Sequence, residues 1–132
     1  MGRPEGTAAL DGRRVLVVED EMLIAMEFEA LLREHGCDVV GPAPSVERAL
    51  TLLQEQRPEL VLMDLDLNGK SALPLAWVLR QQSVPFVVVT GYSERHLEKE
   101  PVLRDIPRLS KPVRFSDLLR TLVQTLTAPP RH

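Results

Sequence analysis

The sequence predicts a doubly wound α/β domain: five parallel strands in the order 2-1-3-4-5, with helices on both faces of the sheet. Apolar runs of strand length alternate with stretches whose apolar residues recur at helical spacing. That alternation implies parallel pairing through right-handed crossovers. Gly, Pro and Asn punctuate the chain between the runs and keep each element short. A third observation concerns chemistry. Four of the apolar runs end in polar residues, which such a sheet gathers at its carboxyl edge, the usual place for a site in an open α/β fold.

Residues 1–12 are polar, with Gly and Pro, and are expected to form a flexible leader to a domain spanning residues 13–126. Strand 1 is Val15 to Val18. Asp20 is placed to cap a helix from Glu21 to His35, in which Ile24, Phe28, Leu31 and Leu32 share a face. Gly36 stops that helix. Strand 2 runs from Cys37 to Val40 and is closed by Gly41-Pro42-Ala43-Pro44. Ser45 is a good N-cap for a second helix, Val46 to Gln56, which Pro58 cannot continue.

Strand 3 is the central one, Leu60 to Asp64, followed by the turn signal Asn68-Gly69. A third helix covers about Ser71 to Gln82, with Pro74 tolerated in its first turn. Strand 4 is Val84 to Thr90. Residues 93–104 hold helix formers but little apolar face, and Pro101 cuts them, so the fourth helix is expected to be short or poorly ordered. Strand 5 is Arg108 to Ser110. A last helix, Phe115 to Leu126, turns Phe115, Leu118, Leu119 and Leu122 inward, and residues 127–132 form a flexible tail.

Composition narrows the function. With 132 residues, 44% of them hydrophobic, the chain is long enough for one domain with an adequate core. A net charge of −3 argues against nucleic acid as the main partner. The single cysteine, Cys37, rules out an internal disulfide and a multi-cysteine zinc site, and reads as a small core residue. No apolar run reaches membrane-spanning length, and the first residues carry neither a signal-peptide core nor a myristoylation signal. A soluble, cytoplasmic protein is expected, without nucleic-acid or membrane partners.

The order 2-1-3-4-5 sets Glu19-Asp20, after strand 1, beside Asp64, after strand 3. Thr90 follows strand 4 and Lys111 follows strand 5. Three carboxylates converging on one rim repel one another unless a cation joins them, and oxygen-only ligands suit Mg²⁺ or Mn²⁺. Transfer of a phosphoryl group is mainly placement and neutralisation of its equatorial oxygens. Asp64 is the candidate nucleophile, with a metal on Glu19, Asp20 and Asp64, the Lys111 ammonium on further oxygens, and Thr90 as hydrogen-bond donor. Each residue alone has an ordinary reading. Asp20 and Glu21 suit a helix start, Thr90 suits a strand end, and Asp66 suits a turn. The joint placement at successive strand ends is what favours a site.

These motifs, from about Arg13 to Leu126, resemble the receiver domain of bacterial two-component response regulators. The acid pair is similar to Glu19-Asp20, the phospho-accepting Asp to Asp64, the switch hydroxyl to Thr90 and the family's Lys-Pro step to Lys111-Pro112, where a cis peptide is usual. The resemblance implies a flavodoxin-like fold, Mg²⁺ or Mn²⁺ as cofactor, and the Asp66 backbone carbonyl as a further metal ligand. The family is itself an example of the 2-1-3-4-5 order, so topology and resemblance are not independent. The usual switch aromatic, three residues before the Lys, is replaced by Arg108, leaving Tyr92 as substitute. Phe86-Val87-Val88-Val89-Thr90-Gly91-Tyr92 is similar to the Phe-Ala-Thr-Gly-hydrophobic-Tyr motif of a stand-alone subfamily with a poorly ordered fourth helix. Thr90, Gly91 and Tyr92 agree with that motif, whereas Val88, Val89 and Ser93 do not.

The function so implied is a phosphorylation switch that is not a turnover enzyme. A histidine kinase or histidine phosphotransfer protein donates to Asp64, Thr90 and Lys111 respond, and an unknown downstream protein reads the change. Asp66 and Tyr92 tune the phosphate lifetime. The alternative is a haloacid-dehalogenase-like phosphatase, suggested by Asp64-Leu65-Asp66. That class places metal-binding acids after the Lys, where this chain has only Asp117. Met22 and Met26 on the first helix are expected to pack on a neighbouring helix, with kinase docking as the other reading.

Overall fold

The computed structural model describes residues 6–91, 96–97 and 99–128. Its five-stranded sheet contains β1 (Arg14–Val18), β2 (Asp38–Ala43), β3 (Leu60–Asp64), β4 (Phe86–Thr90) and β5 (Arg108–Ser110). All neighbours are parallel, and the order is β2-β1-β3-β4-β5, as the alternation predicts. The helices are α1 (Met22–Glu34), α2 (Val46–Gln56), α3 (Leu73–Gln81) and α4 (Phe115–Thr127).

Each face of the sheet carries its own apolar layer, because successive strand residues point to opposite faces. Leu16, Val18, Val61, Met63, Phe86 and Val88 meet Ala49, Leu53, Leu75 and Leu79 of α2 and α3. Val15, Val17, Leu60, Leu62, Val87 and Val89 meet Phe28, Leu32, Leu118 and Leu122 of α1 and α4. The central strands are therefore buried on both sides, and β3 and β4 are buried at every residue.

Several expectations are corrected. The second half of the supposed leader is docked. Ala8–Leu10 form a 3-10 turn, Leu10 is fully buried, and Gly12 N–H bonds to Gly36 O at 2.8 Å. Buried Leu10 and Thr7, with the backbone bond from Gly12 to Gly36, hold it there, a signal too small for composition to register. Strand β2 does not close at Val40 but runs through Gly41-Pro42 to Ala43. Gly41 has φ 88°, and a Cβ there would lie 2.8 Å from Ala43 N and 3.1 Å from Val17 O. Glycine lets β2 stay against β1 through the irregularity.

Helix α3 starts at Leu73, later than the expected Ser71. Lys70–Ser71 pair antiparallel with Asp66–Leu67 in a small hairpin, and Ser71 Oγ accepts from Leu73 N–H at 3.1 Å. Phe115, expected inward, is 42% exposed. It is the first residue of α4, whose buried face is made by Leu118, Leu119 and Leu122. Met22 and Met26 do not pack on a neighbouring helix: they are 74% and 55% exposed. Between β4 and β5 the crossover carries the 3-10 turn Pro101–Leu103 and, among the described residues, no α-helix. Val102 and Leu103 anchor it in the core, and Arg80 and Arg108 donate to its carbonyls.

The cap at Ser45 is present as expected, its Oγ accepting from Arg48 N–H at 3.2 Å. Ser45→Ala is expected to lower stability by about 1 kcal/mol in urea unfolding, with the slope unchanged.

Candidate functional site

The carboxyl ends of β1, β3, β4 and β5 bring the predicted residues together. Glu19 and Asp20 follow β1, Asp64 ends β3, Thr90 ends β4, and Lys111 follows β5. Glu19, Asp64 and Thr90 are each 2% exposed. One carboxylate oxygen from each of Glu19, Asp20 and Asp64 lies within 4.8 Å of the others. Lys111 Nζ donates to Asp64 Oδ2 at 2.5 Å, with 27% of the lysine side chain exposed. Thr90 is held at the same rim by its backbone, its carbonyl accepting from Lys111 N–H at 2.9 Å. Lys111–Pro112 is cis, as the resemblance implies.

Backbone amides hold the acids in place. Asp66 N–H bonds to Asp64 Oδ1 at 3.0 Å, and Glu21 N–H bonds to Glu19 Oε2 at 3.1 Å. Asn68 N–H bonds to Asp20 Oδ2 at 3.1 Å. The helix-cap reading of Asp20 is thereby corrected. The N-cap position of α1 is Glu21, no side chain caps it, and the Asp20 carboxylate reaches the segment after β3 instead. Asn68 is the residue that sequence reasoning missed. Its Asn-Gly signal announces a turn, but not which side chain the turn amide will meet.

The electrostatics describe a crowded pocket. Burial pushes the Glu19 carboxyl up to about 7; the Glu21 amide opposes this, the negative charges of Asp64 and Asp20 add to it, and Lys111 draws it down. Glu19 Oε1 is buried and finds no hydrogen-bond partner among the described residues. Burial works against the charge on Lys111, but its hydrogen bond and attraction to Asp64, with Glu19 behind, outweigh it and raise its pKa. A buried acid that holds its proton near neutrality, with one oxygen unbonded, is what an oxygen-ligated divalent cation would relieve. The donor set, three carboxylates and no Cys or His, suits Mg²⁺ or Mn²⁺.

Asp66 is half-buried beside Asp64. Tyr92, expected to tune the site, lies outside the described residues, as do 93–95 and 98. Arg108, in the place of the usual aromatic, extends a guanidinium N–H to Leu103 O at 3.2 Å. The phosphatase alternative finds no support in the geometry. Asp117, the one acid after Lys111, sits on α4 and pairs with Arg120 at 2.6 Å.

Comparison with known proteins identifies the family and the fold. A family model described as the response regulator receiver domain matches residues 15–123. The transcriptional regulatory protein PdtaR of Mycobacterium tuberculosis is 36% identical over 109 residues, covering 81% of this chain and 53% of that protein. The chain thus spans about half the length of this curated relative. The solution structure of the PhyR response regulator REC domain of Erythrobacter litoralis has a TM-score of 0.78 at 31% identity, covering 94% of this chain and 99% of that one. The solution structure of SdrG from Sphingomonas melonis has a TM-score of 0.75 at 31% identity, covering 88% of this chain and 98% of the other.

Proposed function

The chain belongs to the response regulator receiver domains, and from that premise we propose that it is a phosphorylation switch with Asp64 as acceptor. One observation carries the reading: the Asp64 carboxylate sits between an ammonium 2.5 Å away and two further acids whose oxygens lie within 4.8 Å. An Asp64 oxygen attacks the phosphorus of a partner's phosphohistidine. The nitrogen–phosphorus bond breaks, and its electrons return to the imidazole. Lys111 offsets the charge gathering on the transferred oxygens, and Thr90 offers its hydroxyl to one of them.

Glu19, Asp20 and Asp64, with the Asp66 carbonyl, would hold Mg²⁺ or Mn²⁺, which supplies neutralisation of phosphoryl oxygens. Once Asp64 carries the new dianion, Thr90 and Lys111 are drawn toward it, shifting the ends of β4 and β5 and the crossover between them. A downstream protein reads that change by contact. Asp66, half-buried beside Asp64, tunes the rate at which water hydrolyses the phosphoryl bond, Tyr92 is assigned the same role from the sequence alone, and Pro112 shapes the step after Lys111. The donor is a histidine kinase or a histidine phosphotransfer protein, and cytoplasmic location is part of the same proposal. Among the described residues no helix is long and apolar enough to cross a membrane.

Acetyl phosphate labelling with and without Mg²⁺, followed by intact mass, tests the reading. A single phosphoryl adduct that forms only with the cation is expected. Asp20→Asn should shift the half-saturating Mg²⁺ concentration upward by about tenfold, because one anionic ligand is lost. Sustained hydrolysis of phosphate esters without an adduct would make the protein a phosphatase and overturn the switch.

A further inference from the structure

We propose that the Asn68–Gly69 turn is a positioning element for the acid pocket, its backbone amide holding Asp20 in the orientation a divalent cation requires. The inference rests on the cation reading above and adds a segment outside the acids, hydroxyl and ammonium already assigned. Asn68 N–H reaches Asp20 Oδ2 at 3.1 Å across 48 residues of sequence. The turn that carries this amide has φ values of 55° at Asn68 and 80° at Gly69. Two successive positive values match the tight hairpin turn that favours Asn-Gly. Asp66 pairs with Ser71 and Leu67 with Lys70 on either side of it.

Amides two residues apart on an extended strand face the same way. The hairpin therefore directs two of them at the pocket, Asp66 N–H to Asp64 and Asn68 N–H to Asp20. The hairpin is itself fixed from below. Leu65 and Leu67 are buried, Leu65 N–H bonds to Val89 O at 3.2 Å, and Ala72 N–H bonds to Leu65 O at 2.9 Å. Two of three mutually repelling carboxylates thus take their orientation from one short ribbon, and the third takes its orientation from Glu21 N–H. Donors behind ligating carboxylates set ligand geometry, and losing one typically costs 10- to 100-fold in metal affinity.

Gly69 offers a clean test, because a Cβ there meets nothing within 4 Å. A substitution acts only through the positive φ, which Asn tolerates and a β-branched residue does not. Mg²⁺ titration by calorimetry should show Gly69→Val binding roughly tenfold more weakly than the unsubstituted protein, and Gly69→Asn within about twofold of it. Thermal midpoints of the metal-free proteins check that each is folded; if Gly69→Val is not, Gly69→Ala takes its place with a smaller expected loss. Equal Mg²⁺ affinity in Gly69→Val and Gly69→Asn would overturn the positioning role while leaving the cation site standing. Failure of the unsubstituted protein to bind Mg²⁺ would overturn both.

Discussion

Asp64→Asn is expected to abolish phosphoryl labelling by acetyl phosphate, with no adduct in the intact mass at any Mg²⁺ concentration. An amide oxygen lacks the charge and basicity of a carboxylate and does not form a stable phosphoryl bond. The substitution is nearly isosteric, and its carbonyl can still accept the Asp66 N–H that now reaches Oδ1 at 3.0 Å. What is lost is the charge that Lys111 meets at 2.5 Å and that Glu19 and Asp20 oppose. Removing one of three crowded carboxylates relieves repulsion, so the variant should fold and melt no lower than the unsubstituted protein. Asp66→Asn, two residues along the chain, should still label. Adduct formation in Asp64→Asn at an undiminished rate would move the acceptor to another residue.

The metal-free protein is expected to lose stability as pH rises from about 5 to about 7, and Glu19 is the group responsible. Its folded pKa of about 7 stands above the ordinary value of 4.5 because burial, with Asp64 and Asp20 adding to it, disfavours the charged form. The folded state therefore holds the proton more tightly than the unfolded chain between those values. The Glu19 contribution to stability is fully present below 4.5, falls across the window and is gone above the folded pKa. The span corresponds to a loss on the order of 3 kcal/mol. Urea unfolding at a series of pH values in a chelator should show this fall, and Glu19→Gln should flatten it. Mg²⁺ should stabilise the protein more at pH 8 than at pH 5.5, because ionised Glu19 is the form that serves as ligand. A Glu19→Gln profile parallel to that of the unsubstituted protein would sink the assignment.

Much of the site is legible without coordinates because of how a parallel sheet works. Each β–α unit delivers the residue after its strand to the same rim, so polar residues closing Val15–Val18, Leu60–Met63, Phe86–Val89 and Leu109–Ser110 are bound to meet there. Helix α2 is equally legible, since Ser45 and Pro58 bracket an uninterrupted amphipathic stretch. The start of α3 is not, because Lys70-Ser71 has no local preference strong enough to announce a strand of two residues. Leu10, Phe115 and the exposed methionines fail for a related reason. Helical spacing says which side chains share a face, but not whether another element extends far enough to cover them.

The chain's own pattern therefore determines the five-stranded order, the two apolar layers and the meeting of Glu19, Asp20, Asp64, Thr90 and Lys111. Periodicity and alternation are local properties, and sheet topology converts them into position. Only the folded structure decides that Asp20 turns to the Asn68 amide instead of capping α1, and that Glu19 stays buried with one oxygen unbonded among the described residues. It also decides that Lys111 closes on Asp64. Those outcomes depend on hydrogen bonds and charges between residues as many as 48 positions apart, and their strength is set by burial, which no local pattern encodes.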